Sequence, residues 1–384
     1  MPSRDTLLLA DILEPARNNF GTVRLILALA VVVSHSFYLA TGVALTSEPI
    51  HAITGYSLGQ HAVQLFFFLS GILVTQSLER GGVVAYAKAR ALRIFPGLTI
   101  CVLATALLVG PLVTSLSPAA YFADTGLYRY IVQTILLKTG MAPLPGVFET
   151  LPAAGVVNSS LWTLKYEAVC YVLLAAIGGA ALRFNVARPV GIAALVAFLW
   201  VAAVNPPELA YGNGLLDQIQ YFALFFGAGV LAYAMRQHLP LNAVGVAVAL
   251  AVLVVTNRTG AAEIGQALGL GYIMLWAGSL PTGALRNFTN RNDYSYGVYI
   301  YGVPVGQVLL HFAPGMPVAN LILATAAISL ALAALSWTFI ERPSLALRHA
   351  RRRTATGRHT VSPLPDLSLP SRVARVTGVG GAKR

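Results

Sequence analysis

The sequence predicts an all-α, polytopic membrane protein of about ten transmembrane helices, with both termini cytoplasmic. Three observations carry that expectation. First, 57% of the 384 residues are apolar and only 10% are charged, against about 25% charged residues in a soluble globular chain. With a mean hydropathy of +0.70, the chain has too little polar surface to cover a soluble core of this size. Second, apolar runs near the roughly 20 residues needed to cross a bilayer recur along the chain. They are 22–40, 58–78, 94–113, 162–180, 189–204, 217–235, 241–256, 262–280, 294–311 and 317–340, with 189–204 and 241–256 the shortest. Third, the basic residues are asymmetric. With the N-terminus inside, the exterior loops hold only Arg129, Lys138 and Arg258 of the 26 Lys and Arg residues. That fits positive-inside orientation and an even number of spans.

The same placement explains the net charge of +12 without nucleic acid. The arginines lie at helix ends and in the tail, and no RNA-binding motif accompanies them. No signal-peptide pattern precedes the first run, so it is expected to insert uncleaved. The expected organisation is a polar cytoplasmic segment at 1–20, a membrane domain at 21–345, and a basic, disordered cytoplasmic tail at 346–384. The longest exterior loop, 114–160, has an expected interfacial helix around 126–138. Cys101 and Cys170 sit inside apolar runs and read as core residues. They form no metal-ligand pattern, so no metal is expected.

Ionisable groups within spanning segments are costly, which makes each a functional candidate. The first span reads Arg24, ten intervening residues, then His35. Eleven residues at 100° each bring the two to within roughly 20° of one face, about 16 Å apart along the axis. Arg24 has a competing reading as a snorkelling end-anchor, and His35 as a hydrogen-bonded bundle histidine. Ser34 and Ser36 flank His35 and are candidates to hold its tautomer. A neutral imidazole, the form that burial favours in general, suits a general base acting on a weakly nucleophilic hydroxyl. His35 could equally accept an acyl group itself.

The next interior loop reads Lys88-Ala-Arg90-Ala-Leu-Arg93-Ile-Phe-Pro96. Arg90 and Arg93, three apart, share a helix face. Two guanidinium forks there suit phosphates, and Lys88 adds a third cation. The fourth span opens Ser160-Leu-Trp162-Thr-Leu-Lys165-Tyr166-Glu167. Glu167 lies about one turn in and is expected to pair with a basic group or to orient one, the plainer alternative being a structural Glu–Arg pair. The ninth opens Asp293-Tyr294-Ser295-Tyr296-Gly297-Val298-Tyr299-Ile300-Tyr301. Its tyrosines read either as an interfacial belt or as donors to a polar ligand. The tenth ends Ser336-Trp337-Thr338-Phe339-Ile340-Glu341-Arg342-Pro343, where proline is expected to stop the helix. The chain contains no HExxH, P-loop or GxSxG motif, and Leu69-Ser70-Gly71 lies within the second span rather than on a nucleophile elbow.

Taken together, Arg24-x10-His35, LFFFLSG at 65–71, Arg90-x-x-Arg93-Ile-Phe-Pro96, LWTLKYE at 161–167, DYSYGVYIY at 293–301 and SWTFIERP at 336–343 resemble the integral-membrane acyltransferase 3 family. That family includes exopolysaccharide and nodulation-factor O-acetyltransferases. The resemblance covers roughly residues 20–345. It implies a ten-helix, multi-pass protein of the inner (plasma) membrane that uses cytoplasmic acyl-CoA, in particular acetyl-CoA, to acylate a carbohydrate hydroxyl. It implies that His35 is catalytic, that Arg24 is essential, that Glu167 is a site residue, and that Arg90 and Arg93 bind the CoA phosphates. Two departures stand out. Where many members carry histidine in the ninth span, this chain has Tyr301-Gly302, and it shows no fused esterase-like domain, so helices and short loops are expected to handle the acceptor. A different class of function, a transporter or flippase of a lipid-linked glycan, would use the buried Arg, His and Glu as a substrate or proton pathway, but no internal repeat of the transporter kind is present.

Overall fold

The computed structural model describes residues 7–43, 48–183, 214–257 and 259–348. The expected span 189–204, the exterior Arg258 and the tail beyond residue 348 lie outside the described residues. Among the described residues all regular structure is helical, with only isolated bridges at Leu8–Pro240 and Thr114–Val147.

Helix α1, Phe20–Thr41, ends at Gly42, whose left-handed backbone (φ 69°) turns its N–H back to Tyr38 O, a conformation that favours glycine. Helix α2, Leu58–Ala104, opens on a reciprocal cap. Ser57 Oγ accepts from Gln60 N–H at 3.0 Å, and Gln60 Oε1 accepts from Ser57 N–H at 2.7 Å. The sequence predicts a loop between the spans 58–78 and 94–113. Instead the helix continues through that stretch, broken only at Gly82 (φ 69°, ψ 174°). The reason is local: between the two runs only the Gly81-Gly82 pair disfavours helix. Past Ala104 a wide π-helical turn, Thr105–Val109, leads to Gly110–Val113.

In the long loop that follows, helix α3, Thr125–Ile135, is capped by Asp124, which accepts from Gly126 N–H at 2.7 Å; it coincides with the expected interfacial helix. Helix α4, Leu164–Arg183, follows a 3-10 turn at Ser159–Thr163. Then come α5 (Leu215–Ala234), α6 (Ala243–Thr256), α7 (Ala262–Ser279), α8 (Ala284–Arg291), α9 (Ser295–Phe312) and α10 (Val318–Ser336). Helices α7 and α8 meet at a bend of 108°. Contrary to the expectation at Pro343, α10 does not stop there. It passes through a π-helical turn at Trp337–Glu341 into Arg342–Ala346. The wide turn has already interrupted the hydrogen-bond ladder, so Pro343 stands in a first turn, where its missing N–H costs nothing.

Among the described residues, five stretches are long and apolar enough to cross a membrane: Phe20–Thr41, Leu58–Val113, Ser159–Gly178, Leu215–Ala234 and Val318–Ala346. A sixth is added if α7 and α8 form one bent span. Leu58–Val113 carries two of the expected segments, on either side of Gly82, and α6 at 14 residues is short for a crossing. The surface is apolar, with Val254, Phe339, Leu323 and Val244 exposed, while Gln64, Gln307, Ser329 and Glu341 are buried. Polar groups held inside and an apolar exterior are the arrangement a bilayer demands, and the protein is a multi-pass membrane protein.

Helix α1 packs against α2, α9 and α10. Helices α2 and α5 approach closely through glycines: a Cβ on Gly71 would stand 2.1 Å from Phe226 O, and one on Gly229 2.0 Å from Phe68 O. Small residues permit such backbone contact between membrane helices. The segment before α1, expected to be merely polar, is docked. Leu9 and Ile12 are buried, and Leu9 N–H bonds Leu239 O at 2.9 Å while Leu241 N–H bonds Leu7 O at 2.8 Å.

Candidate functional site

A cavity of about 400 Å³ opens at the end of the bundle where α1 begins, and Arg24, Arg90, Arg93, Glu167, Asp293 and Arg348 supply its charged lining. Asp293, in the turn before α9, gathers two of the cations. Arg24 Nη1 lies 2.6 Å from Asp293 Oδ2, and Arg93 Nη2 lies 2.9 Å from the same oxygen. Ser295 Oγ donates to Asp293 Oδ1 at 2.6 Å. Burial pushes this carboxyl up, but Arg24 and Arg93 outweigh it and hold the group at about 2. Arg93 also reaches Glu341 Oε2 at 3.1 Å and lies over the Tyr296 ring, 5.1 Å from its centroid. Glu341 accepts in turn from Ser336 Oγ at 2.9 Å.

Arg90 differs. Its guanidinium lies 5.8 Å from the centroid of the Tyr171 ring, and its buried Nε has no hydrogen-bond partner. Arg348, at the C-terminal edge of the described residues, is the fourth cation. Burial and the neighbouring Arg90 and Arg93 lower its pKa, but a guanidinium remains charged. The lining therefore carries four cations against the carboxylates of Asp293 and Glu167, a surplus that suits an anionic ligand. Lys88 is not brought to this cavity. Its exposed Nζ donates to Leu347 O at 2.7 Å. Glu167, expected to meet a basic group, instead accepts from the Ser70 hydroxyl at 3.2 Å and from the Tyr171 hydroxyl. Tyr171 lies one turn along α4 and comes between Glu167 and Arg90.

A second, smaller cavity of about 40 Å³ adjoins the first. Val63, Thr163 and Tyr299 line both. His35 is in the smaller one, with Ser34, Ser57, Gln60, Ser160, Trp162, Tyr221 and Phe222. His35 Nδ1 lies 2.9 Å from Val31 O. A carbonyl only accepts, so Nδ1 carries the proton and Nε2 keeps its lone pair. The flanking serines do not hold the ring: Ser34 Oγ donates to the buried carboxylate of Glu48, and Ser36 Oγ donates to Val32 O at 2.8 Å. Sequence neighbours on a helix point about 100° away from His35, so they face other partners. At the junction, Tyr299 donates to Ser160 O at 2.7 Å and lies 2.5 Å from Thr163 Oγ1.

The Arg24/His35 spacing thus places the two residues in adjoining cavities, with Arg24 engaged by Asp293. Sequence reasoning passed over Arg348, grouped with the basic tail, and Glu48 and Ser160, which lack any local signal. Asp293 and Glu341 stood within quoted motifs, but nothing local showed that they neutralise Arg24 and Arg93. Among the described residues no group of His, Cys, Asp and Glu has metal-binding size.

The model of the family described as Acyltransferase domain, acyltransferase 3, matches residues 17–341. An O-acetyl transferase of Shigella phage Sf6 is 30% identical over 342 residues, which span 85% of this chain and 95% of the relative. Nodulation protein 10 of Rhizobium leguminosarum bv. viciae is 28% identical over 360 residues, 86% of this chain and 94% of the relative. No solved structure matches. With a cationic cavity opening beside a histidine that bears a free ring nitrogen, and with a family match spanning most of its length, the chain belongs to the acyltransferase 3 family and is an acyltransferase.

Proposed function

We propose that the chain transfers an acetyl group from acetyl-CoA to a hydroxyl of a cell-surface or exported carbohydrate, at the inner (plasma) membrane. In this reading residues 21–345 form the membrane domain, both termini are cytoplasmic, and the cavity bearing Arg24, Arg90, Arg93 and Arg348 opens to the cytoplasm, where CoA is found. The observation that carries it is the adjoining pair of cavities, one cationic and one holding His35, which meet at Val63, Thr163 and Tyr299.

The nucleotide end of CoA binds Arg90 and Arg348, the cations of the larger cavity that have no carboxylate partner among the described residues. Arg24, Arg93 and Asp293 form a fixed frame beside them. The pantetheine arm runs toward the junction, over a distance set by the roughly 16 Å rise between Arg24 and His35. His35 Nε2 takes the proton of the acceptor hydroxyl as its oxygen attacks the thioester carbon. Glu167, fixed by Ser70 and Tyr171, orients the polar groups around the arm.

The test supplies carbonyl-labelled acetyl-CoA to membranes containing the full chain and the producing cell's polysaccharide. Label is expected in the polysaccharide for wild type and not for His35→Ala. Equal label in both would remove His35 as the base, and no label even in wild type would overturn the donor and acceptor assigned.

A further inference from the structure

An acyl transfer passes through a tetrahedral intermediate whose carbonyl oxygen becomes an anion, and a hydrogen-bond donor must meet that oxygen. Around His35 the other hydroxyls already take part in hydrogen bonds, Ser57 accepting from Gln60 N–H and Tyr221 from Gln64 Nε2. Ser34 gives its proton to Glu48. Tyr299 gives its proton to Ser160 O, which leaves Thr163, 2.5 Å away, as the donor to Tyr299. Ser160 is different. The residue lines the small cavity and is 2% exposed, and its buried Oγ has no hydrogen-bond partner. A buried hydroxyl without a partner is destabilising; Tyr130, Thr134, Ser159, Thr325 and Ser329 carry others, but Ser160 is the one that lines the cavity with His35, where a partner can arrive with the substrate.

The size of the cavity agrees. At about 40 Å³ it holds roughly three water-sized bodies. An acetyl group, with three heavy atoms, fits; a sugar ring does not.

We propose that the small cavity receives the acetyl group and that the Ser160 hydroxyl is the oxyanion donor of the transfer. This inference rests on the assignment of His35 as general base. As the acceptor C–O bond forms, the carbonyl π pair moves onto oxygen and is held by Ser160 Oγ–H, while the acceptor proton goes to His35 Nε2. Collapse re-forms the carbonyl and breaks the C–S bond. The CoA thiolate leaves and takes the proton from His35, so one thioester and one alcohol yield one ester and one thiol. Ser160 itself forms no bond to the acyl group. It makes no hydrogen bond to His35, which an activated serine nucleophile requires.

Initial rates of label transfer from acetyl-CoA to the polysaccharide fraction are measured in membranes for wild type, Ser160→Ala and His35→Ala, together with CoA binding to each purified full-length protein. Ser160→Ala is expected to lose about 10²–10³-fold in kcat, with KM for acetyl-CoA and CoA affinity within about threefold of wild type. A kcat within about threefold of wild type overturns the proposal. So does a parallel loss of CoA binding, which would make Ser160 a packing residue, and so does recovery of a labelled ester on Ser160, which would make it the nucleophile. If wild type transfers label while Ser160→Ala equals it, only this inference fails; if wild type transfers none, the proposed function fails.

Discussion

Asp293→Asn is the substitution whose effect the geometry specifies most fully. The change keeps the shape of the side chain and removes the charge that Arg24 and Arg93 share at 2.6 and 2.9 Å. The carboxyl is 20% exposed, so solvent screening is modest. Its pKa falls from the ordinary 3.8 to about 2, and at ~1.36 kcal/mol per pH unit the ionised form stabilises the fold by about 2 kcal/mol. Because the folded-state pKa is the lower one, the contribution is complete above about pH 4 and disappears between pH 4 and 2. Unfolding of detergent-solubilised wild type and Asp293→Asn, followed by circular dichroism, is therefore expected to differ by about 2 kcal/mol at both pH 7 and pH 5. A gap below about 0.5 kcal/mol would refute the ion-pair account. A gap that widens from pH 7 to pH 5 would mean that burial, not the two arginines, sets the pKa of this group.

The two arginines of the Arg90-x-x-Arg93 motif are expected to fail differently. Arg90→Gln should weaken CoA binding by calorimetry roughly 10–150-fold while sparing stability, the loss of a charge-assisted hydrogen bond. Arg93→Gln, which leaves Glu341 without its cation and Asp293 with Arg24 alone, should chiefly reduce folded protein; equal behaviour of the two would contradict the division drawn here. Gly229→Ala forces a Cβ to 2.0 Å from Phe68 O, and because that obstacle is backbone, the melting temperature should fall by an amount corresponding to at least 1–3 kcal/mol, roughly the cost of overpacking. Gly260→Ala, with nothing within 4 Å of its Cβ, should stay within about 0.5 kcal/mol of wild type in the same assay.

The helices were legible because the bilayer imposes a simple code, apolar length, and the chain obeys it at α1, α2, α4, α5 and α10. The candidate residues were legible because charge inside such lengths is costly. Their partnerships were not. Asp293 meets Arg24 across 269 positions and Glu341 meets Arg93 across 248, separations that no local periodicity reports. The spacing of Arg90 and Arg93 also conceals a difference. Three residues leave a rotation of about 60° between them, enough to turn Arg93 into the carboxylates while Arg90 faces the Tyr171 ring. Leu9 and Ile12 were overlooked because they belong to a single 3-10 turn, too short to give a periodic signal. Ser160 has no sequence signature at all, since an unpartnered hydroxyl is a property of packing.

The docked segment before α1 bears on the order in which the protein is built. The residues that leave the ribosome early have their partners late in the chain: Leu9 bonds Leu239, Asn19 N–H bonds Gly278 O, and Arg24 pairs with Asp293. Leu13 and Asn18 of the same stretch line the larger cavity. During synthesis this wall has nothing to close against until α5, α7 and the turn before α9 have been inserted. A chain released before residue 293 therefore carries both His35 and Arg90 yet lacks the wall that Asp293 and the last helices give the larger cavity.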